Sequence, residues 1–216
     1  MKQDSKAETN TIGGAVLRRT PSQSRAQEKI RRIADCTTAL IAAKGSDSLK
    51  MSEIAQQAGI SIGALYQYFP DKSTLIRYLF ESYNAQSRQC IEDGLAAATS
   101  MDELVAAFNA LIDEYLALMR MEPAMRDIWS ATQADKSLAK LEIAESRLNG
   151  KLLADTIHRI APDRIATGME ETAFLLMHFG ESTMRIAVDL SPPECDTLIG
   201  AYKTMAARTL RDLAVM

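Results

Sequence analysis

The sequence of 216 residues has little of what marks secreted, membrane-spanning or disulfide-bonded proteins. Its three cysteines, Cys36, Cys90 and Cys195, are too few and too widely spaced for a disulfide framework or a CxxC zinc site. Each falls in a helical pattern and is interpreted as a buried, reduced thiol rather than a redox switch. No apolar run approaches the roughly 18 residues that span a bilayer, and residues 1–14 lack the apolar stretch of a signal peptide. These absences predict a cytoplasmic protein that has no membrane partner.

Catalytic and cofactor-binding motifs are also missing. The sequence contains two histidines, and the single i, i+3 pair of His178 and Glu181 provides too few ligands for a metal site. It contains no nucleophile motif, no phosphate-binding glycine loop and no spaced pair of carboxylates. We therefore predict that the protein is not an enzyme and holds neither a metal nor a cofactor.

Charge is unevenly distributed along the chain, although the net charge is only -3. Up to Leu79 there are twelve Lys or Arg and seven Asp or Glu residues, a net charge of +5, which leaves -8 for the remainder. A basic end on an acidic body indicates a polyanionic partner for the N-terminal part. Residues 1–22 have the polar composition of a flexible arm. Because Arg18, Arg19 and Arg25 lie near its end, the arm is either simply solvated or in contact with nucleic acid.

The rest of the sequence shows helical periodicity and no strand-like alternation. The first helix is predicted to begin at Ser24, which forms an S-x-x-Q capping box with Gln27, and to stop at Gly45. Pro123 and Pro193 suit first-turn positions of later helices. In chain order, the predicted helices span residues 24–44, 51–58, 62–69, 72–95, 101–121, 123–133, 136–160, 163–190 and 193–215.

Residues 51–69 are the most informative stretch, because their apolar residues are spaced to pack two short helices across a sharp turn. Gly59 can adopt the positive φ that such a turn requires, and Ser61 can cap the second helix. That helix must end near Pro70, since the residue before a proline disfavours the α conformation, and Asp71 can cap the long helix that follows. A turn of three to four residues is typical of a helix-turn-helix, whose second helix enters a major groove.

The pattern I-A-x-x-A-G-[VI]-S-x-G-x-L-Y-x-Y-F-x-x-K, present from Ile54 to Lys72, resembles that of the TetR (AcrR-like) family. The close resemblance covers residues 25–83. It implies an all-α fold with an N-terminal three-helix helix-turn-helix DNA-binding domain and a larger helical ligand-binding and dimerisation domain. The implied boundaries are an arm at 1–22, a DNA-binding domain at 23–70 and an effector-binding and dimerisation domain at 71–216.

The resemblance further implies a sequence-specific transcriptional regulator. Its expected partners are palindromic double-stranded operator DNA, a small-molecule effector of unknown identity and a second copy of the chain. A repressor released from its operator by the effector is the favoured mechanism. The alternative is an effector-independent DNA-binding architectural protein of the same fold.

Individual roles in DNA binding follow from the same resemblance. Tyr68 and Lys72 match positions that bind phosphates, which orient a protein on DNA without reading its sequence. Lys50 stands where the family usually has a capping Thr or Ser. Lysine cannot cap a helix, though it can bind phosphate, which leaves Ser48 and Ser52 as alternative caps for the second helix. The implied DNA-binding residues are Lys50, Ser52, Ser61, Ile62, Gly63, Ala64, Tyr66, Gln67, Tyr68 and Lys72.

Two groups of residues in the larger domain are candidates for effector binding and dimerisation, and both also fit ordinary core packing. The candidate effector-binding residues are Tyr115, Met119, Met125, Trp129, Asn149, His178 and Glu181. The residues of the last two helices predicted to form a four-helix interface between two subunits are Ala173, Met177, Gly180, Met184, Ala187, Leu198, Ala201, Tyr202, Met205 and Thr209.

Overall fold

A computed structural model describes residues 21–134, 136–163 and 167–213. In these segments the chain forms helices joined by turns and short loops, with no strand. The helices are α1 Pro21–Lys44, α2 Met51–Gln57, α3 Ile62–Tyr68, α4 Lys72–Ala96, α5 Met101–Met121, α6 Pro123–Ala134, α7 Lys136–Ile160, α8 Met169–Ala187 and α9 Pro192–Leu213. The predicted all-α class is confirmed.

Capping side chains and glycines explain several of the helix limits. The Ser61 side chain accepts a hydrogen bond from the backbone N–H of Ala64 at 3.2 Å, and Asp71 accepts one from Thr74 at 2.7 Å. Gly45 adopts a φ of +81° directly after α1, which ends where the sequence predicts. Gly59 adopts a φ of +65° in the predicted turn between α2 and α3. The missing cap at Lys50 is also observed, because no side chain caps α2.

Several helix limits differ from the predictions. Among the described residues α1 already includes Pro21, so Ser24 lies inside the helix and is not its cap. The eighth helix begins at Met169 rather than at residue 163, after Gly168 with φ +78°, and it ends at Ala187. Of the predicted arm, residues 1–20 lie outside the described residues and residues 21–22 belong to α1.

Helices α1–α3 form a head and α5–α9 form a body, with α4 running from one to the other. Helix α1 packs on α2, α4 and α6, while α4 also contacts α5, α6 and α7. One apolar core therefore continues from head to body, through Leu65 of α3, Leu75 of α4 and Ile128 of α6. Helix α8 lies between α7 and α9. At Gly150 of α7 a Cβ would come within 2.6 Å of the Phe174 Cα, so only glycine permits this close crossing with α8.

The cysteines occupy three different environments. Cys195 is fully buried, as predicted, whereas Cys36 is half-buried and Cys90 is exposed. The prediction of a buried thiol is therefore wrong for Cys90, because that residue lines a cavity described below. All three thiols are free.

Candidate DNA-binding surface and effector cavity

The head presents one face of α3 to solvent and buries the opposite face. Leu65 is fully buried and Phe69 nearly so, and both pack with Ile54 and Ala58 of α2. This packing fixes α3 against α2 and decides which of its side chains point outwards.

The outward face of α3 combines apolar, aromatic and small residues. Ile62 and Tyr66 are 42% and 48% exposed, unusual values for such large side chains. Gly63 is exposed, and a Cβ built on it would meet no atom within 4 Å. A glycine costs helix stability relative to alanine, and no packing within the chain requires one here. It instead allows another molecule to approach the α3 backbone closely.

The remaining residues predicted to bind DNA lie around this face. Lys50, Ser52, Ser61 and Gln67 are exposed, whereas Ala64 and Tyr68 are half-buried. Ala64 is therefore less accessible than its place at the start of α3 indicates. Tyr68 packs its ring against the core.

Lys72, at the start of α4, contacts the loop between α1 and α2. Its Nζ donates to the carbonyl oxygens of Ser46 at 3.2 Å and Asp47 at 3.3 Å. An ammonium group has three N–H donors, so these two bonds leave one donor for a phosphate. The same loop is held from the body, because the Ser46 N–H donates to Asp127 Oδ1 of α6 at 2.8 Å.

The body contains a cavity of about 760 Å³ that opens to solvent, within the usual size range of small-molecule sites. Helices α1, α4, α5, α7, α8 and α9 all contribute to its wall. On the α1 side it reaches Ala34 and Thr38, and along α4 it extends from Tyr78 to Ile91. The cavity thus connects the inside of the body with a helix of the head.

A group of polar residues lies on the body side of the cavity. Glu181 of α8 accepts a hydrogen bond from Trp129 Nε1 of α6. Burial raises the pKa of the Glu181 carboxyl to about 7, with a further rise from the nearby Glu142 carboxylate, and these effects outweigh the opposing Trp129 hydrogen bond and Arg185 charge. Burial and the Glu181 charge also raise the pKa of the Tyr115 hydroxyl.

Asn149 adds an unmet hydrogen-bonding group to the same wall. It lines the cavity, and its Oδ1 is buried without a hydrogen-bond partner. Leaving a buried acceptor unpaired costs about 1–3 kcal/mol, so a donor brought in by a ligand or water would be stabilising here.

Comparisons with known proteins match both halves of the chain. Residues 33–79 match the model of bacterial regulatory proteins of the tetR family, and residues 102–214 match the tetracyclin repressor-like C-terminal domain. The chain belongs to the TetR family of transcriptional regulators. It is a DNA-binding regulator, and its family is one of transcriptional regulators rather than enzymes.

Individual TetR-family relatives are distant. The chain is 35% identical over 77 residues to the HTH-type transcriptional repressor KstR of Rhodococcus jostii, which is 35% of this chain and 36% of that protein. It is 27% identical over 135 residues to the HTH-type transcriptional regulator BetI of Cronobacter sakazakii, covering 61% of this chain and 67% of that one. A crystal structure of a TetR-family regulator from Streptomyces coelicolor shares the fold, with a TM-score of 0.69 and 19% identity over 87% of this chain and 98% of that one.

The seven residues predicted to bind an effector in this TetR-family body divide into two groups. Tyr115, Asn149 and Glu181 line the cavity. Met119, Met125 and Trp129 are buried in the core and do not line it, which corrects their predicted role. Trp129 contacts two residues of the wall, since it donates a hydrogen bond to Glu181 and its ring packs edge-on against Tyr83. His178 also lies off the cavity, and its Nδ1 is 3.1 Å from Ser146 Oγ.

The small-residue seam predicted as a dimer surface lies largely inside the chain. Ala173, Gly180, Met184 and Ala187 are buried, because the small residues of α8 serve its contacts with neighbouring helices. At Gly180, for example, a Cβ would come within 2.9 Å of the Tyr202 hydroxyl of α9.

The other residues of the predicted interface vary in exposure. Met177 is half-buried and lines the cavity, and Tyr202 is buried and donates to the Leu176 carbonyl. On α9, Ala201 and Met205 are exposed, while Leu198 and Thr209 are half-buried. The exposed apolar residues of α8, which the sequence analysis missed, are Leu175, Phe179 and Ile186.

Sequence reasoning also missed most of the cavity wall, including its α1 and α4 residues. One local signal was available on α7, where Glu142, Ser146 and Asn149 recur at intervals of four and three residues. Such polar residues share one face of a helix, and here that face turns inwards, with Glu142 only 4% exposed.

Proposed function

We propose that the chain is a homodimeric repressor that a small-molecule effector releases from palindromic operator DNA. The cavity carries this proposal, because one continuous space is lined by α1 of the head, α4 and the body helices. An effector bound there contacts both parts of the chain at once. An architectural protein that binds no effector does not require a cavity of this size. The cavity therefore favours an effector-sensing repressor over that alternative.

The proposed DNA-binding domain comprises residues 23–70, and the exposed face of α3 is its proposed recognition surface. Ile62 and Ala64 offer apolar contacts suited to thymine methyl groups, and the bare backbone at Gly63 permits close approach. Lys50, Tyr68 and Lys72 are proposed to bind phosphates, with the remaining donor of Lys72 available for one of them. We propose that the protein acts in the cytoplasm, where it meets DNA.

The exposed apolar residues of α8 and α9 form the proposed dimer surface. Phe179 and Ile186 are 47% and 59% exposed, and Met205 of α9 is similarly accessible. Leu175, Phe179 and Ile186 are spaced to share one side of α8. Two such surfaces related by a two-fold axis complete a four-helix interface, and the family resemblance points to the same arrangement. The dimer then holds two α3 helices about 34–36 Å apart, which matches successive major grooves.

Effector release is proposed to work as a population shift between two positions of the head. Helix α4 has 25 residues, or about 37 Å of helix, with Lys72 against the α1–α2 loop at one end and cavity residues along its middle. When an effector displaces α1 and α4, the α3 helix moves relative to the α3 helix of the other subunit. The effector binds the displaced state more tightly and thereby lowers the affinity for DNA.

A cavity-filling substitution tests this mechanism without a known effector. Ser87→Trp adds a large side chain to the cavity wall of α4, and Gln89→Trp places the same group on the exposed side of that helix. We expect Ser87→Trp to weaken binding to a DNA site selected by the wild type at least tenfold, and Gln89→Trp to leave it unchanged. The measurement is fluorescence anisotropy with labelled duplex DNA, with melting curves to confirm folding. Unchanged or tighter DNA binding by a folded Ser87→Trp protein contradicts release by an effector.

A further inference from the structure

The described residues that line the cavity carry an excess of negative charge. Four of them are acidic and one is basic. The acidic residues are Asp35, Glu114, Glu122 and Glu181, and the basic residue is Arg31. Arg31 and Asp35 lie in α1, Glu114 lies in α5 and Glu122 directly follows α5, and water screens the charges at these positions. Glu181 differs, since it lies deep in the body beside other buried polar groups.

The surroundings of Glu181 do not neutralise its carboxylate. Glu142 of α7 is buried, and its Oε1 lies 2.8 Å from Arg185 Nη1, so the nearest guanidinium is already paired. Two further titratable groups lie beside this cluster: Tyr115 of α5, which contributes no positive charge, and His178 of α8, whose Nδ1 lies against Ser146 rather than against Glu181. Trp129 of α6 donates a hydrogen bond to Glu181. The Ser146 hydroxyl of α7 donates to the Glu142 carbonyl at 3.0 Å and lies 3.1 Å from His178 Nδ1.

Of the two neighbouring carboxyl groups, Glu142 is therefore the one bonded to Arg185, and Glu181 is the one that faces the cavity. A buried ionised carboxylate is strongly destabilising without a paired cation. This cost appears as the raised pKa of Glu181, which keeps that carboxyl largely protonated below pH 7. A bound cation removes the same cost by supplying the missing charge, whereas a bound anion increases it.

The rest of the wall suits the apolar part of such a ligand. Tyr78, Tyr83, Phe108 and Tyr115 line the cavity together with leucine, isoleucine and methionine side chains. Aromatic faces attract ammonium groups and also contribute large apolar surfaces. The cavity thus combines an aromatic and aliphatic interior with one carboxylate that lacks a cation of its own.

We propose that the effector is an amphiphilic ammonium ion, an apolar body carrying a protonated amine that pairs with Glu181. This inference rests on the effector site proposed above and adds the chemical class of its ligand. Decylammonium, 1-decanol and decanoate are suitable probes, because they share one apolar chain and differ in the charge of the head group.

Intrinsic fluorescence is a direct readout of binding. The chain contains one tryptophan, and Trp129 donates its indole N–H to Glu181. We expect decylammonium to change the fluorescence of Trp129 and to bind at least tenfold more tightly than 1-decanol, with decanoate the weakest of the three. Each titration is checked by calorimetry, well below the concentration at which the probes form micelles.

Glu181→Gln isolates the charge, because glutamine keeps an oxygen that accepts the Trp129 hydrogen bond. We expect this variant to lose at least tenfold in decylammonium affinity and to bind 1-decanol as the wild type does. Glu114→Gln is the matched control. Glu114 lines the same cavity but is exposed, so solvent screens its charge, and decylammonium affinity should change less than about threefold.

The pH dependence of the wild type provides a second test that needs no variant. The ligand pairs with the ionised form of Glu181, whose pKa in the free protein is about 7, while an aliphatic amine stays protonated up to about pH 10. The affinity for decylammonium should therefore rise about tenfold between pH 6 and pH 8, as the ionised fraction of Glu181 grows. The affinity for 1-decanol should not rise, and Glu181→Gln should abolish the rise.

The outcomes separate this inference from the proposed function. Equal binding of 1-decanol and decylammonium, or an unchanged preference in folded Glu181→Gln, overturns the ammonium ligand and leaves the effector site standing. Failure of all three probes to bind overturns the ligand class, while the Ser87→Trp experiment still decides whether the cavity controls DNA binding.

Discussion

Replacing Gly63 by alanine should make the protein more stable and its DNA binding weaker. Gly63 lies in the helical segment Ile62–Tyr68 and is exposed, and a Cβ there meets no atom within 4 Å. The methyl group therefore fits the free protein without strain. Alanine is favoured over glycine within a helix by roughly 0.5–1 kcal/mol. For a chain of this size, each kcal/mol raises the melting temperature by about 2–4 °C, so we expect an increase of about 1–4 °C.

The same methyl group occupies the surface that α3 is proposed to place in the major groove. If the backbone at Gly63 approaches DNA closely, the methyl must push α3 outwards and weaken its contacts with the bases. A loss of about 1.4 kcal/mol corresponds to a tenfold loss of affinity, and we expect at least that. The assays are a thermal melt followed by circular dichroism and a fluorescence anisotropy titration with the selected DNA site.

Gly200→Ala is a matched control for this variant. Gly200 lies within α9, is exposed, and would also place a Cβ in open space. It should give a similar gain in stability without any change in DNA binding. A Gly63→Ala protein that is stabilised and binds DNA as tightly as the wild type refutes the close approach of α3 to DNA.

Three further substitutions test separate parts of the structure. Lys72→Ala should weaken binding to all DNA sequences alike and flatten the slope of log affinity against log salt by about one unit per site, whereas Lys203→Ala, which removes the partner of Asp113 in the body, should leave that slope unchanged. Ile186→Asp should convert the dimer to a monomer at micromolar concentration in sedimentation, because two charges enter one apolar interface. Met121→Asp is the control, at a residue of α5 that is 78% exposed, and it should remain dimeric. A dimeric Ile186→Asp protein would show that this face of α8 is not the dimer interface. Asp127→Ala should lower the free energy of unfolding, measured by urea denaturation, by about 1–2 kcal/mol, because the Ser46 hydrogen bond is lost. Asp127→Asn keeps an accepting oxygen and should retain most of this stability; an equal decrease in Asp127→Asn would show that the charge matters rather than the hydrogen bond.

Local sequence signals were sufficient for most of the helices and for the head. The predicted limits of α5 and α7, Met101–Met121 and Lys136–Ile160, agree with the structure. The order of buried and exposed residues in α2 and α3 also followed from the sequence, because two short helices joined by a tight turn have few ways to pack. Ala64 and Tyr68 are exceptions, since both side chains are half-buried although the sequence predicts them on the accessible face of α3.

Features that depend on distant parts of the chain were not predictable in the same way. The cavity is lined by residues from Arg31 to Tyr202, so no local pattern defines it. The small residues Ala173 and Gly180 indicated a close contact on α8, but a contact within the chain and one with a partner require the same small side chains. The structure places these two residues inside the chain and leaves Phe179 and Ile186 exposed.

In the proposed complex, two copies of the chain place their α3 helices in two half-sites of one DNA duplex. The most direct test is to select binding sites from random duplex DNA with the full chain and to footprint the selected sites with hydroxyl radicals. The account predicts a two-fold symmetric sequence with two protected regions whose centres lie about 10–10.5 base pairs apart, or a multiple of that distance. Selected DNA without such symmetry, or protection of a single region by a stably folded protein, contradicts it.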